Sequence, residues 1–210
     1  MFITFEGIDF CGKSTQVKLL KEYLVQQNKK VKIIREPGGT KISEKIRKIL
    51  LDKDNEGMNI KTELLLFAAS RAQLVNDVIK PHLDDGYFVI ADRLHDSSIA
   101  YQGYGRGIDL DFVVHLQDFV LSGVTPDVTF FLDIPVEDSD KRKQNSGRQN
   151  LDRIELSKNV FYQKVREGYC KLTEEFERIK RIDGLKPIDD IRNIIVRELR
   201  QLDSSLKGVD

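Results

Sequence analysis

The sequence predicts an α/β fold built on a mostly parallel sheet. Three observations predict it: five short apolar runs spread along the chain, helical periodicity between them, and a glycine-rich loop joining the first run to the first helical pattern. The runs are FITFE (2–6), VKIIRE (31–36), YFVIAD (87–92), VTFFLD (128–133) and the weaker IKRID (179–183). Their apolar residues are continuous rather than alternating, as strands covered on both faces require.

Taken in order, the first strand runs into GIDFCGKST, and from Lys13 to Gln27 the residues Val17, Leu20 and Leu24 keep helical spacing. The second strand ends in REPGGT, where Pro37-Gly38-Gly39 sets a tight turn, and Ile42, Ile46 and Ile49 then mark a helix over 42–50. A long helical segment follows from Thr62 to His82. After the third strand comes DRLHDSSIAYQGYGRG, then a helix over 110–121 carrying Phe112, Leu116 and Phe119. Helices over 155–178 and 188–202 flank the fifth strand. The segment KRKQNSGRQNLDR (141–153) is basic, contains one glycine and is expected to move. With no internal repeat, low-complexity stretch or linker, a single domain is expected over 1–210.

Composition narrows the function without naming it. Lys and Arg total 34, as do Asp and Glu, so the formal charge is zero and nothing supports a nucleic-acid scaffold. No apolar run approaches membrane-spanning length, and none at the start resembles a secretory signal. Two cysteines, Cys11 and Cys170, make no disulfide framework. A reducing, cytoplasmic compartment is the expectation, with neither nucleic acid nor membrane as partner.

GIDFCGKST carries the first chemical signal. A glycine, four residues and then Gly-Lys-Ser, between a strand and a helix, wraps backbone N–H groups around a polyphosphate at a helix N-terminus. Gly7 and Gly12 let the backbone approach, Lys13 reaches the terminal phosphates, and the Ser14 hydroxyl suits Mg²⁺. The loop alone does not separate a kinase from a GTPase switch or an ATPase. Cys11 reads as a small residue in a tight loop, since no neighbouring histidine activates it. Phe10 brings no charge to the transferred phosphate, so any arginine serving it comes from elsewhere.

Ligands of parallel sheets bind at the carboxyl ends of strands. Asp92 and Arg93 stand at such an end. There the aspartate suits metal-bound water and the arginine a pair of phosphates, with a structural ion pair as the alternative. Glu36 projects from the second strand's end toward the same rim. Phe67 and Arg71, four residues apart, share a helix face. They read either as a ring and guanidinium for a base or as a core phenylalanine beside a snorkelling arginine. Ser97, Ser98, Tyr101 and Gln102 offer polar contacts to base and sugar, or loop caps. His95 lies in the same segment, in reach of substrate but without a legible carboxylate partner. His82 and His115 read as helix-surface groups, and no spacing suggests a zinc site.

GIDFCGKST, REPGGT, LLFAASRAQ and DR followed by SSIAYQGYGRG, in this order and spacing, resemble bacterial thymidylate kinase; LDIPVE and GRQNLDRIE match as well. The resemblance extends from Met1 to about Leu202. It implies a P-loop NTPase fold of the nucleoside monophosphate kinases: a five-stranded parallel sheet flanked by helices, with a short mobile lid. It also implies transfer of the γ-phosphate of ATP to dTMP with Mg²⁺, and a homodimer, for which the helices at 62–82 and 110–121 are the candidates.

By position, the resemblance sets Gly7, Ile8, Asp9, Phe10, Cys11, Gly12, Lys13, Ser14 and Thr15 against ATP, with Arg142 packing on adenine. Ser14 holds the metal, to which Asp92, read from its strand end, adds a second oxygen group. Asp9 lies near the sugar 3′-hydroxyl and the metal. Phe67 stacks on thymine, Arg71 bonds its edge, and Ser98 and Gln102 complete the base contacts with Ser97 nearby. Tyr101 lies against the sugar and helps to exclude a 2′-hydroxyl. Arg47 and Arg93 hold the acceptor phosphate with Glu36 in the same pocket. Leu94 stands where the family often has an aromatic or a histidine. With Phe10 in the loop, the transition-state arginine is expected in the lid, Arg148 first and Arg153 next, with Asp152 and Glu155 tethering the lid or positioning its arginines.

Three rivals remain distinguishable. Another nucleoside monophosphate kinase would differ at the base edge read by Arg71, Ser98 and Gln102. A GTPase switch would need a guanine-reading Asn-Lys-x-Asp motif, whereas the fourth strand is followed by IPVEDSD. A non-catalytic nucleotide-binding module would be expected to lose Lys13, Arg93 or the lid arginines.

Overall fold

The computed structural model describes residues 1–148 and 150–208. Gln149 of the expected lid and the last two residues of the expected domain lie outside the described residues. Five parallel strands form one sheet in the order β2-β3-β1-β4-β5: β1 (Phe2–Glu6), β2 (Val31–Arg35), β3 (Phe88–Asp92), β4 (Val128–Asp133) and β5 (Ile179–Asp183). The apolar runs therefore become strands in the expected places. The central strands β1 and β4 are buried along their whole length, whereas the edge strands β2 and β5 are buried only in part.

Helix α1 (Lys13–Gln26) buries Val17, Leu20 and Leu24 as its period requires. Helix α2 (Lys41–Leu51) is capped by Thr40, whose side chain accepts from the Ser43 N–H. Helix α3 (Ile60–Leu74) passes through a π-helical turn, Val75–Ile79, into α4 (Lys80–Asp84). Pro81 brings no N–H to this helix, and the widened turn lies just before it. The acceptor segment is helical, α5 (His95–Ser98) continuing as a π-helical stretch, Ile99–Gly105. Helices α6 (Leu110–Leu121), α7 (Val136–Asn145), α8 (Asn159–Glu175) and α9 (Ile188–Leu202) complete the chain.

Three expectations are corrected. The stripes on two helices have the right period but the wrong partner: Ile42 and Ile49 of α2, and Phe112 and Phe119 of α6, are exposed, while Ser43 and Leu50 and Val113, Gln117, Val120 and Leu121 turn inward. The first part of the expected lid is helix α7, with Glu137 and Asp138 in its first turn and Arg142 and Lys143 in its last, matching the helix dipole. Helix α8 starts at Asn159 rather than 155, because Asp152 folds the preceding residues into a turn by accepting from the Ile154 and Glu155 N–H groups.

Sheet register positions the site. Phe5 pairs with Asp92, the Arg93 N–H donates to the Phe5 carbonyl, and the Glu36 N–H donates to the Asp92 carbonyl. The exits of β1, β2 and β3 thus meet at one edge of the sheet.

Candidate active site

The loop after β1 is shaped by contacts that only glycine permits. Gly7 has φ 135°, and a Cβ there would lie 2.5 Å from the Leu132 carbonyl oxygen of β4. Gly12, at φ 104°, precedes α1 without a side-chain cap, so the first N–H groups of the helix are open to an anion. Lys13 Nζ donates to the carbonyls of Gly7 at 3.1 Å and Ile8 at 2.9 Å. Ile8 and Cys11 are buried with the core; Ile8 offers the site its carbonyl, and Cys11 Sγ accepts from Lys13 Nζ at 3.5 Å.

Two residues other than glycine adopt left-handed backbone here, Phe10 at φ 60° and Arg93 at φ 72°. The Arg93 conformation aims its guanidinium back across the loop. Nη2 donates to Asp9 Oδ1 at 2.6 Å and to Tyr101 Oη at 3.1 Å, and Nη1 donates to the Gly7 carbonyl at 2.8 Å. Tyr162 donates to the other Asp9 oxygen at 3.0 Å. Burial pushes the Asp9 carboxyl up, but the Arg93 and Lys13 charges and these hydrogen bonds outweigh it and hold Asp9 below its ordinary range. Ser14 Oγ donates to Asp92 Oδ2 at 2.8 Å, bringing together two oxygen donors of the kind Mg²⁺ takes.

A cleft of about 480 Å³ runs from this loop across the exits of β2 and β3. Asp9, Phe10, Lys13, Ser14 and Thr15 line one end, and Glu36, Arg47, Phe67, Arg71, Ser98, Tyr101 and Gln102 the other, with Asp92, Arg93 and Ser97 between them. Phe67 is half-buried, so part of its ring remains for stacking. Arg47 Nη1 donates to the Pro37 carbonyl at 2.7 Å. Arg71 is 1% exposed. Its donors meet Glu36, Ser98, Gln117 and the Leu94 carbonyl, so contact with a base edge shares or exchanges one of these bonds. Leu94 is fully buried, and its backbone does the work: its carbonyl accepts from Arg71 and its N–H donates to Glu6.

The lid arginines separate. Arg148 lines the cleft, with Nη1 donating to Glu155 Oε1 at 2.7 Å. Arg153 does not line it: its Nε donates to the Leu50 carbonyl at 2.9 Å and its Nη2 lies 2.7 Å from Glu63 Oε2, which anchors the lid to α2 and α3. Arg142 bridges the Cys11 and Gly184 carbonyls at 3.3 and 2.9 Å, on the far side of the phosphate loop. His95 is withdrawn from the expected substrate contact. It is buried against Asp96 and Arg178, and burial lowers it to about 4.

Four residues that sequence reasoning missed support the site. Glu6, at the end of β1, accepts from the Leu94 N–H at 2.8 Å, Ser97 Oγ at 2.6 Å and Tyr169 Oη at 2.7 Å. Tyr162 and Tyr169 reach in from α8, and Glu63 of α3 gathers Gln102, Arg106 and Arg153. For Glu6 a signal existed, a carboxylate closing an otherwise apolar strand beside the phosphate loop. Among the described residues no cluster of three metal-ligating side chains occurs, and no helix is long and apolar enough to cross a membrane.

The family model described as thymidylate kinase matches residues 5–195. A thymidylate kinase of Thermosipho africanus (strain TCF52B) is 50% identical over 204 residues, covering 95% of this chain and 100% of the relative. One of Thermoanaerobacter sp. (strain X514) is 46% identical over 196 residues, covering 93% and 95%. The crystal structure of thymidylate kinase from Ehrlichia chaffeensis superposes with a TM-score of 0.78 at 36% identity, over 95% of this chain and 98% of that one.

Proposed function

The chain belongs to the thymidylate kinase family, and we propose that its cleft transfers the γ-phosphate of ATP to dTMP, giving dTDP and ADP in the synthesis of dTTP. The observation that carries this reading is a single cleft in which the phosphate loop faces Arg47, Phe67, Arg71, Ser98 and Gln102 across Arg93.

In this reading the ATP phosphates lie on the N–H groups of Gly12 to Thr15. Lys13 exchanges its two loop carbonyls for the terminal phosphates. Arg142 and the backbone beside Gly184 flank adenine. Thymine stacks on Phe67 with Arg71, Ser98 and Gln102 at its edge, and Tyr101 and Asp9 meet the sugar. Arg47 and Arg93 neutralise the acceptor phosphate. An oxygen of that phosphate forms the new bond to the γ-phosphorus while the bond to the β,γ-bridging oxygen breaks and ADP leaves. The attacking oxygen is already anionic, so the chain supplies position and charge rather than a strong base, with Arg148 turning from Glu155 to the transferred group. Ser14 and Asp92 would hold Mg²⁺, which would neutralise phosphate charge.

The proposal includes a homodimer. The outward apolar stripes support it: Ile42 and Ile49 of α2, Leu65 of α3, and Phe112 and Phe119 of α6 are all exposed in the single chain. A cytoplasmic location belongs to the same reading and is supported by two free cysteines. Calorimetric titration with dTMP and with thymidine tests the acceptor pocket. Tighter binding of dTMP is expected, because Arg47 and Arg93 meet its phosphate, and equal affinities would contradict the reading.

A further inference from the structure

Gln102 has a neighbour that dictates which way its amide faces. The side chain lines the cleft, and its Nε2 donates to Glu63 Oε1 at 3.0 Å. Glu63 is 1% exposed. Two arginines hold it ionised: Arg106 donates through Nε at 3.0 Å and Nη2 at 3.1 Å, and Arg153 Nη2 lies 2.7 Å from Oε2. An ionised carboxylate only accepts hydrogen bonds, so the NH₂ of Gln102, never its oxygen, must face Glu63. The Gln102 Oε1 accepts no hydrogen bond among the described residues and is left as the end directed at the cleft.

We infer that Glu63 is a specificity-determining positioning residue, which fixes the Gln102 amide so that the acceptor pocket offers an acceptor to the base and selects a pyrimidine with N3–H over one with a bare N3. The inference rests on the dTMP reading of the pocket. Thymine and uracil carry a proton at N3. Cytosine carries a lone pair there, which would face the Gln102 oxygen lone pairs without a proton between them. A buried group left unpaired in this way discriminates far more strongly than lost packing does.

The test compares kcat/KM for dTMP and dCMP in the unmodified protein, in Glu63→Gln and in Glu63→Asp. The unmodified protein is expected to prefer dTMP; lack of that preference overturns the dTMP reading itself. In Glu63→Gln the neighbour both donates and accepts, the Gln102 amide is free to turn, and the dTMP/dCMP ratio is expected to fall by at least about tenfold. Glu63→Asp keeps a group that only accepts, so it should lower kcat/KM for both acceptors yet retain the ratio. A ratio unchanged in Glu63→Gln, with dTMP still preferred by the unmodified protein, overturns the role of Glu63 alone. A measurement without any variant covers loss of folding: the side-chain NH₂ of Gln102, observed by NMR, should stay protected from hydrogen exchange with and without dTMP. An unprotected NH₂ in the free protein, or one that gains protection only when dTMP binds, overturns the inference.

Discussion

Arg71 Nε donates to Glu36 Oε2 at 2.8 Å, in a pair whose side chains are 1% and 3% exposed. The pair ties α3 to the exit of β2 at the floor of the cleft, and Ser98 and Gln117 extend it to α5 and α6. Burial pushes the Glu36 carboxyl up against the opposing pull of Arg71. Removing one partner leaves the other charge buried and unpaired. Arg71→Ala should therefore cost about 3–5 kcal/mol, and at roughly 2–4 °C per kcal/mol for a chain of this size the midpoint should fall by about 10 °C. Arg71→Met combined with Glu36→Leu should recover much of that loss. Thermal unfolding of the two variants checks both statements.

Glu6 gives the stability a pH dependence of definite sign. Burial, then the nearby Asp96, raise its carboxyl from the ordinary 4.5 to about 7, against Arg93 and the hydrogen bonds from Ser97 and Tyr169. The folded chain therefore holds a proton that the unfolded chain has released. The contribution is fully present below about pH 4.5 and is lost as the pH rises through about 7. Glu6→Gln has nothing to titrate there. The melting temperature of the unmodified protein minus that of Glu6→Gln should be larger at pH 5 than at pH 8, and an unchanged difference would contradict the assignment.

Arg148 is half-exposed, and among the described residues its charge partner is Glu155, which is buried and keeps the Asp152 N–H on its other oxygen, so Arg148→Ala should cost about 1–3 kcal/mol without unfolding the chain. Its expected role is to stabilise charge as the phosphoryl group moves. The turnover number should fall by about 10²–10³, with KM for dTMP changed less than about threefold. Steady-state kinetics separates this from a binding role, in which KM would carry the loss.

Phe119 is 80% exposed on α6, opposite the face that sends Gln117 to Arg71. If the proposed homodimer forms through this face, Phe119→Glu should give a monomer in light scattering where the unmodified protein is a dimer, without unfolding the chain; a monomeric unmodified protein would contradict the proposal.

The strands and most helices were legible because their signals are local: a continuous apolar run, a 3.6-residue period, a glycine before Lys13. What was not legible depends on which surface meets which. The period of Ile42, Ile46 and Ile49 is genuine, but a period does not say whether the stripe faces the sheet or another copy. The site shows the same division. Lys13, Ser14, Asp92 and Arg93 announced themselves as motifs at strand ends. Glu6 and Tyr169 meet across 163 positions of sequence, and no spacing rule connects them. Arg148 and Arg153 look alike in a basic segment, yet a buried carboxylate, Glu63, draws Arg153 into the fold and leaves Arg148 at the cleft.

The most direct test is ADP release from ATP and Mg²⁺ in the presence of dTMP, dUMP, dCMP, dGMP, thymidine or no acceptor. Turnover that requires an acceptor and is fastest with dTMP is the expected result. ADP release without any acceptor, or faster release with thymidine or another monophosphate, would contradict it.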